Sequence, residues 1–174
     1  LNDGSITYES MANRYNTDLA NNLGNLVNRT VAMTKKYFDG VVPEPGNEEG
    51  PDAELKDACR AAVDSFVRDM DSFHLADACT DIFTMLRRAN KYIDETTPWT
   101  LAKSEETMPR LRTVIYNLLE TIRIGAVLLT SLLPQTAASI FRQLGTDVTA
   151  FDSVSAFGAL ASGKPVGEAA VLFQ

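Results

Sequence analysis

The 174-residue chain carries 16 Lys and Arg against 23 Asp and Glu, a formal net charge of −7, and is 45% hydrophobic. That is enough chain for one domain with a real core, and the composition is globular rather than disordered. The acidic balance argues against a protein that grips nucleic acid mainly through phosphates, and the apolar run from Ile124 to Leu133 is too short to span a bilayer. No signal peptide is visible. The chain starts at Leu1 rather than Met and reads as a piece of something longer. Cys59 and Cys79 fall on apolar helix faces, as small buried hydrophobes rather than a disulfide or ligand pair, which fits a reducing, cytoplasmic setting.

In chain order, residues 1–7 lead in, with Thr7 an N-cap for a helix from Tyr8 to Phe38 that stops at Asp39-Gly40. At 100° per residue, Tyr8, Ala12, Tyr15, Leu19, Leu23, Leu26, Thr30, Met33 and Tyr37 share one arc, and Arg14, Asp18, Asn21, Asn25, Asn28 and Arg29 the opposite one. The polar arc is unusual. Asn is a poor helix former, so three of them weaken the helix without structural return, yet their amides and the guanidinium hydrogen-bond base edges. The plainer alternative is a polar face against another domain. A Pro- and Glu-rich loop, 41–50, leads to Pro51 at the head of a second helix carrying Leu55, Cys59, Ala62, Val63, Phe66 and Met70 on one face.

His74, the only histidine, marks the joint to a third helix with Leu75, Cys79, Ile82, Phe83, Leu86, Ala89 and Ile93 inward and Arg87, Arg88 and Lys91 on another face. That helix ends at Thr96-Thr97, because the residue before Pro98 is driven out of helical geometry. A fourth, apolar on most sides, runs from about Pro109 to Leu133 and is expected to be central. Pro134 breaks it, and 135–144 make a fifth ending at Gly145. From Thr146 the pattern dissolves into an extended tail. The expected class is therefore all-α, an antiparallel bundle of about five helices with an extended C-terminal tail.

Catalytic groupings are scarce. Gly158 to Lys164 has the spacing of a phosphate-cradling loop, but Pro165 stands where a magnesium-binding hydroxyl belongs, with no strand before it. A single histidine cannot build a diiron bundle site, and no nucleophile–base pair is supportable, so no catalytic residue, metal or cofactor is assigned to the segment itself. Trp99, the sole tryptophan, is held by Pro98 just past a helix end flanked by Arg87, Arg88 and Lys91. It suits a stacking platform for a base, although a core anchor is the other reading.

NKYIDETTPW (90–99), with RYNTDLANNLGNLVNR (14–29), resembles the C-terminal anticodon-binding domain of methionyl-tRNA synthetase, over nearly the whole chain. The resemblance implies the helical bundle shared among class I synthetases: a link from a missing catalytic half at 1–7, the bundle at 8–145, and a tail packing on it at 146–174. It implies that Asn25, Arg29, Pro98 and Trp99 receive the cytosine opening the CAU anticodon of methionine tRNA, with Asn21, Asn28 and Arg88 as secondary contacts. The implied partners are that tRNA and the enzyme's own catalytic domain, with no membrane. ATP and Mg are implied only for the parent ligase, whose HIGH-like and KMSKS-like motifs and zinc-bearing insertion this chain lacks. The closing residues 171–174 fit either the family's tail or a cleaved tag. The alternative from another class is a helical interaction or structural bundle with no RNA role.

Overall fold

The computed structural model describes residues 17–168; the lead-in, the Thr7 cap, the helix start at Tyr8 and the closing residues 169–174 lie outside them. The described residues are all-α, as expected, with five long helices. These are α1 (Gly24–Phe38), α2 (Gly50–Asp71), α3 (Leu75–Thr96), α5 (Met108–Leu129) and α6 (Pro134–Leu144), with a single turn α4 (Pro98–Leu101) between α3 and α5. The stops follow local chemistry. Asp39 and Gly40 take left-handed φ values of 55° and 76° after α1, and Thr97 (φ 43°) ends α3 ahead of Pro98. Gly145 (φ 69°) ends α6, and there a Cβ would stand 2.1 Å from the carbonyl oxygen of Pro165, so only glycine fits. Pro51 lies in the first turn of α2, where the N–H of Glu49 donates to Asp52 Oδ2 at 3.1 Å.

Two expectations need correction. The first helix is not one uniform coil, because Leu19–Leu23 form a π-helical turn ahead of α1. A π-turn inserts a residue into the repeat, so a constant 100° arc cannot be carried across it. The fourth long helix ends at Leu129, not Leu133. The Thr130 hydroxyl bonds back to the carbonyl of Ala126, and Pro134 opens α6 and forces Leu133 to an extended φ of −137°.

The core is built around α5, as its apolar pattern implies. Every residue from Thr113 to Leu129 is buried, and α5 touches each of the other helices. α2 and α3 pack along one another as a hairpin whose turn is Ser72 to His74. Both cysteines are buried and neither is in a disulfide. Burial pushes the Cys59 thiol up to about 12, which leaves it a packing group rather than a nucleophile.

From Thr146 to Glu168 the chain lies back over the bundle, anchored on two fully buried charges of α5. Glu120 Oε2 accepts the N–H groups of Gly158 and Ala159, both at 2.6 Å. Arg123 is paired with Glu120 and donates to Val148 O, Ser153 Oγ and Ser153 O. Farther on, Val42 N donates to Lys164 O, Gly163 N donates to Val42 O, and Val166 N donates to Gly40 O. The apparent phosphate loop therefore spends its first amides on a carboxylate of its own chain. Its Lys164 ammonium lies 3.6 Å from Asp147.

Candidate nucleic-acid interface

The asparagine arc of the first helix faces solvent. Asn21, Asn25, Asn28 and Arg29 are exposed, while Leu23, Leu26, Val27, Thr30 and Val31 behind them are buried. The π-turn and the arc are stitched together, because Asn25 Nδ2 donates to the backbone carbonyl of Asn21 at 2.6 Å. A carbonyl can only accept, so this bond orients the amide and leaves Oδ1 without a partner among the described residues. π-Turns recur at functional sites, and this one adds Asn22 to the polar surface.

A wall of α3 stands opposite. Arg87, Asn90, Lys91 and Asp94, one turn apart along one stripe, close an open groove of about 680 Å³ with the asparagines and Arg29. Asn90 Nδ2 donates to Leu86 O at 3.3 Å. The groove is thus lined with amides, two arginines, a lysine and one carboxylate. Helical spacing in the sequence puts Arg87 and Lys91 on an outer face beside Trp99 and carries no signal for Asn22 or Asp94.

Among the positions picked from the sequence, Asn21, Asn25, Asn28 and Arg29 share this groove, while Pro98, Trp99 and Arg88 do not line it. The stripe on α3, continued at helical spacing beyond Asp94, arrives at Thr97 and Pro98, where the chain turns. Pro98 is buried and Trp99 is 45% exposed. The indole is thus no sealed core anchor. Arg88 points elsewhere: its guanidinium is split between Glu54 and Glu95, each at 2.7 Å, and its side chain is 17% exposed. Arg87, one residue earlier, is the arginine that reaches the groove.

What holds the α3 end in place is buried. The Tyr92 hydroxyl donates to Asp52 Oδ1 at 2.5 Å and accepts from Asn117 Nδ2 at 3.2 Å, and Arg110 forks onto both oxygens of Asp52 at 2.6 and 2.9 Å. The network ties the first turn of α2, the last turns of α3 and the start of α5 into one unit. Burial alone would raise the Asp52 carboxyl. The hydrogen bonds from Arg110, Tyr92 and the Glu49 amide outweigh it and hold it below the ordinary range.

A second titratable group lies near the start of α3, against the end of α2. Asp81 is pushed up to about 7, first by burial and then by the hydrogen bond and charge of Asp69 and the charge of Asp77. Nearby, Asp69, His74 and Asp77 bring ligand atoms within 4.8 Å of one another. Exposed carboxylates gather this way without an ion, and no metal is assigned to them.

The family model for the anticodon binding domain of methionyl tRNA ligase matches residues 42–174. The methionine–tRNA ligase of Clostridium tetani is 43% identical over 171 residues, covering 98% of this chain and 27% of that protein. That of Caldanaerobacter subterraneus subsp. tengcongensis is 43% identical over 173 residues, with the same coverage. Among solved structures, the apo form of Mycobacterium tuberculosis methionyl-tRNA synthetase superposes with a TM-score of 0.85 at 34% identity, over 92% of this chain and 33% of that one. The same enzyme in complex with methionyl-adenylate gives 0.78 at 35% identity, over 95% and 33%. The chain thus spans about a quarter of the length of the curated relatives it matches.

Proposed function

The chain belongs to the family of anticodon binding domains of methionyl tRNA ligase, and on that footing we propose that its asparagine groove and Trp99 read the first base, cytosine, of the CAU anticodon of methionine tRNA. One observation carries the proposal: Asn25 lines the groove with its Nδ2 spent on Asn21 and its Oδ1 unpartnered among the described residues, and Arg29 lines it one helical turn away. Cytosine presents an amino donor beside ring acceptors, which suits that pair. Uracil would set a carbonyl against Asn25 Oδ1. Single-stranded bases are read in this manner, splayed out, stacked on an aromatic ring and bonded along their edges. The exposed ring of Trp99, backed by the rigid Pro98, supports its role as the stacking partner. Stacking of this kind contributes about 1–3 kcal/mol per base. Asn21 and Asn28 line the same groove and are secondary contacts in this reading. Arg88, committed to two carboxylates, serves as a scaffold for the hairpin.

In the parent enzyme, residues 1–7 link to the catalytic half, 8–145 form the reading bundle and 146–174 pack on it. The whole ligase attaches methionine to its tRNA with ATP and Mg through that other half, in the cytoplasm. This segment carries no group for that chemistry. A bundle that serves only protein contacts is the weaker reading, since it leaves the orientation of Asn25 and the exposed indole without a purpose.

Trp99 supplies the test. Its fluorescence is expected to be quenched by a stem-loop RNA bearing CAU, and much less by the same loop with its first base changed. An equal response to both loops, or none at saturating RNA, overturns the proposal.

A further inference from the structure

We propose that Arg87 and Lys91 form a phosphate-holding ridge that leads the RNA strand out of the asparagine groove into a second groove between α2 and α3. The inference rests on the RNA reading above. The second groove, about 440 Å³, is floored by Ala58, Ala61 and Ala62, and it shares Arg87 and Lys91 with the first as their common wall. A strand whose base occupies the first groove must cross that wall to continue on this side.

The charges on the wall are distinctive. Arg88, between them in sequence, is neutralised twice, by Glu54 and Glu95. Arg87 and Lys91 have no counter-ion among the described residues, although the chain carries a net charge of −7. Two like charges at i and i+4 on a helix repel each other. Both residues lie more than a turn before Thr96, where α3 ends, so the helix dipole does not account for them. An arriving anion relieves the repulsion. The bridges of Arg88 also remove two carboxylates that would otherwise oppose a phosphate beside the path. The alanine floor offers no bulk to a sugar–phosphate backbone, with the hydroxyls of Ser65 and Thr84 at its edges. The ridge carries no base code: it should strengthen any loop and leave the choice of base to Asn25 and Arg29.

The test is a salt titration of binding to the CAU stem-loop and to its first-base variant. With Arg87→Gln and Lys91→Gln together, both loops should weaken by the same factor, about tenfold, and the slope of log affinity against log salt should become shallower by about 1.4 for two single-strand phosphates. Ala61→Phe, which fills the second groove, should weaken both loops equally. The charge-keeping pair Arg87→Lys and Lys91→Arg should retain the wild-type slope, which separates lost charge from lost folding. An unchanged slope in the Gln pair, while the wild type still prefers CAU, overturns the ridge and leaves the reading of the base intact. No binding or no preference in the wild type overturns the reading beneath it.

Discussion

Asn25 sits where its residue type costs the helix up to about 0.7 kcal/mol relative to alanine, and its side chain bonds a π-turn carbonyl while its Oδ1 keeps no partner among the described residues. Asp81 shows the opposite economy: a carboxyl near the start of α3, pushed up to about 7 by burial and by Asp69 and Asp77. Its folded pKa lies above the ordinary 3.8, so between those values the folded chain holds a proton that the unfolded chain releases. Stability attributable to Asp81 is therefore present at low pH and is lost as pH rises through about 7. Asp81→Asn should raise the melting midpoint above that pH and change little at pH 4. A gain that is uniform across the pH range would refute the assignment.

At the level of elements, α3 is the wall that serves both faces. Ile82, Leu86, Ala89 and Ile93 bury one side, the stripe from Arg87 to Asp94 lines the groove, and Tyr92 pins the end that delivers Trp99. Asp52→Ala would leave Arg110, 5% exposed, with the Asn47 carbonyl and the solvent-side carboxylate of Glu49, its one remaining counter-ion among the described residues. Loss of one partner of a buried pair costs about 3 kcal/mol or more. Because the Asp52 carboxyl is held low, its contribution is present above the ordinary carboxylate range and disappears as pH falls through its lowered value. Chemical denaturation should therefore show a large gap between wild type and variant at neutral pH that narrows in acid. A constant gap would mean that packing, not charge, supplies the loss. The two aspartates are opposite in sign, so the same acid titration separates them.

For the molecule as a whole, two buried charges anchor the first part of the tail, and backbone bonds to Gly40, Val42 and Gln143 hold its later part. Glu120 and Arg123, both fully buried on α5, spend their remaining hydrogen bonds on residues 148 to 159. Glu120→Gln removes the charge that keeps Arg123 satisfied and weakens the acceptor of two amides. Hydrogen exchange should then show lost protection at Gly158 and Ala159, with the α2–α3 hairpin unchanged. Retained protection at those amides would show that packing of Val154 and Leu160 suffices to hold the tail. The same carboxylate occupies the first amides of the glycine-rich segment 158–164, which are therefore not open to an external anion.

Periodicity, prolines and glycines sufficed for the number and type of the helices, for the stops at Asp39-Gly40, Thr97 and Gly145, and for the central place of α5, because these depend on residues within a turn or two of one another. The asparagine arc was legible on the same ground. Which surface that arc meets was not. The choice of Arg87 over Arg88, the bridging of Arg88 to Glu54, the exposure of Trp99 and the clamp of Glu120 on the tail depend on residues far apart in sequence. Helical spacing tells which side of a helix a residue occupies, and only the packing of helices against one another decides what stands opposite it.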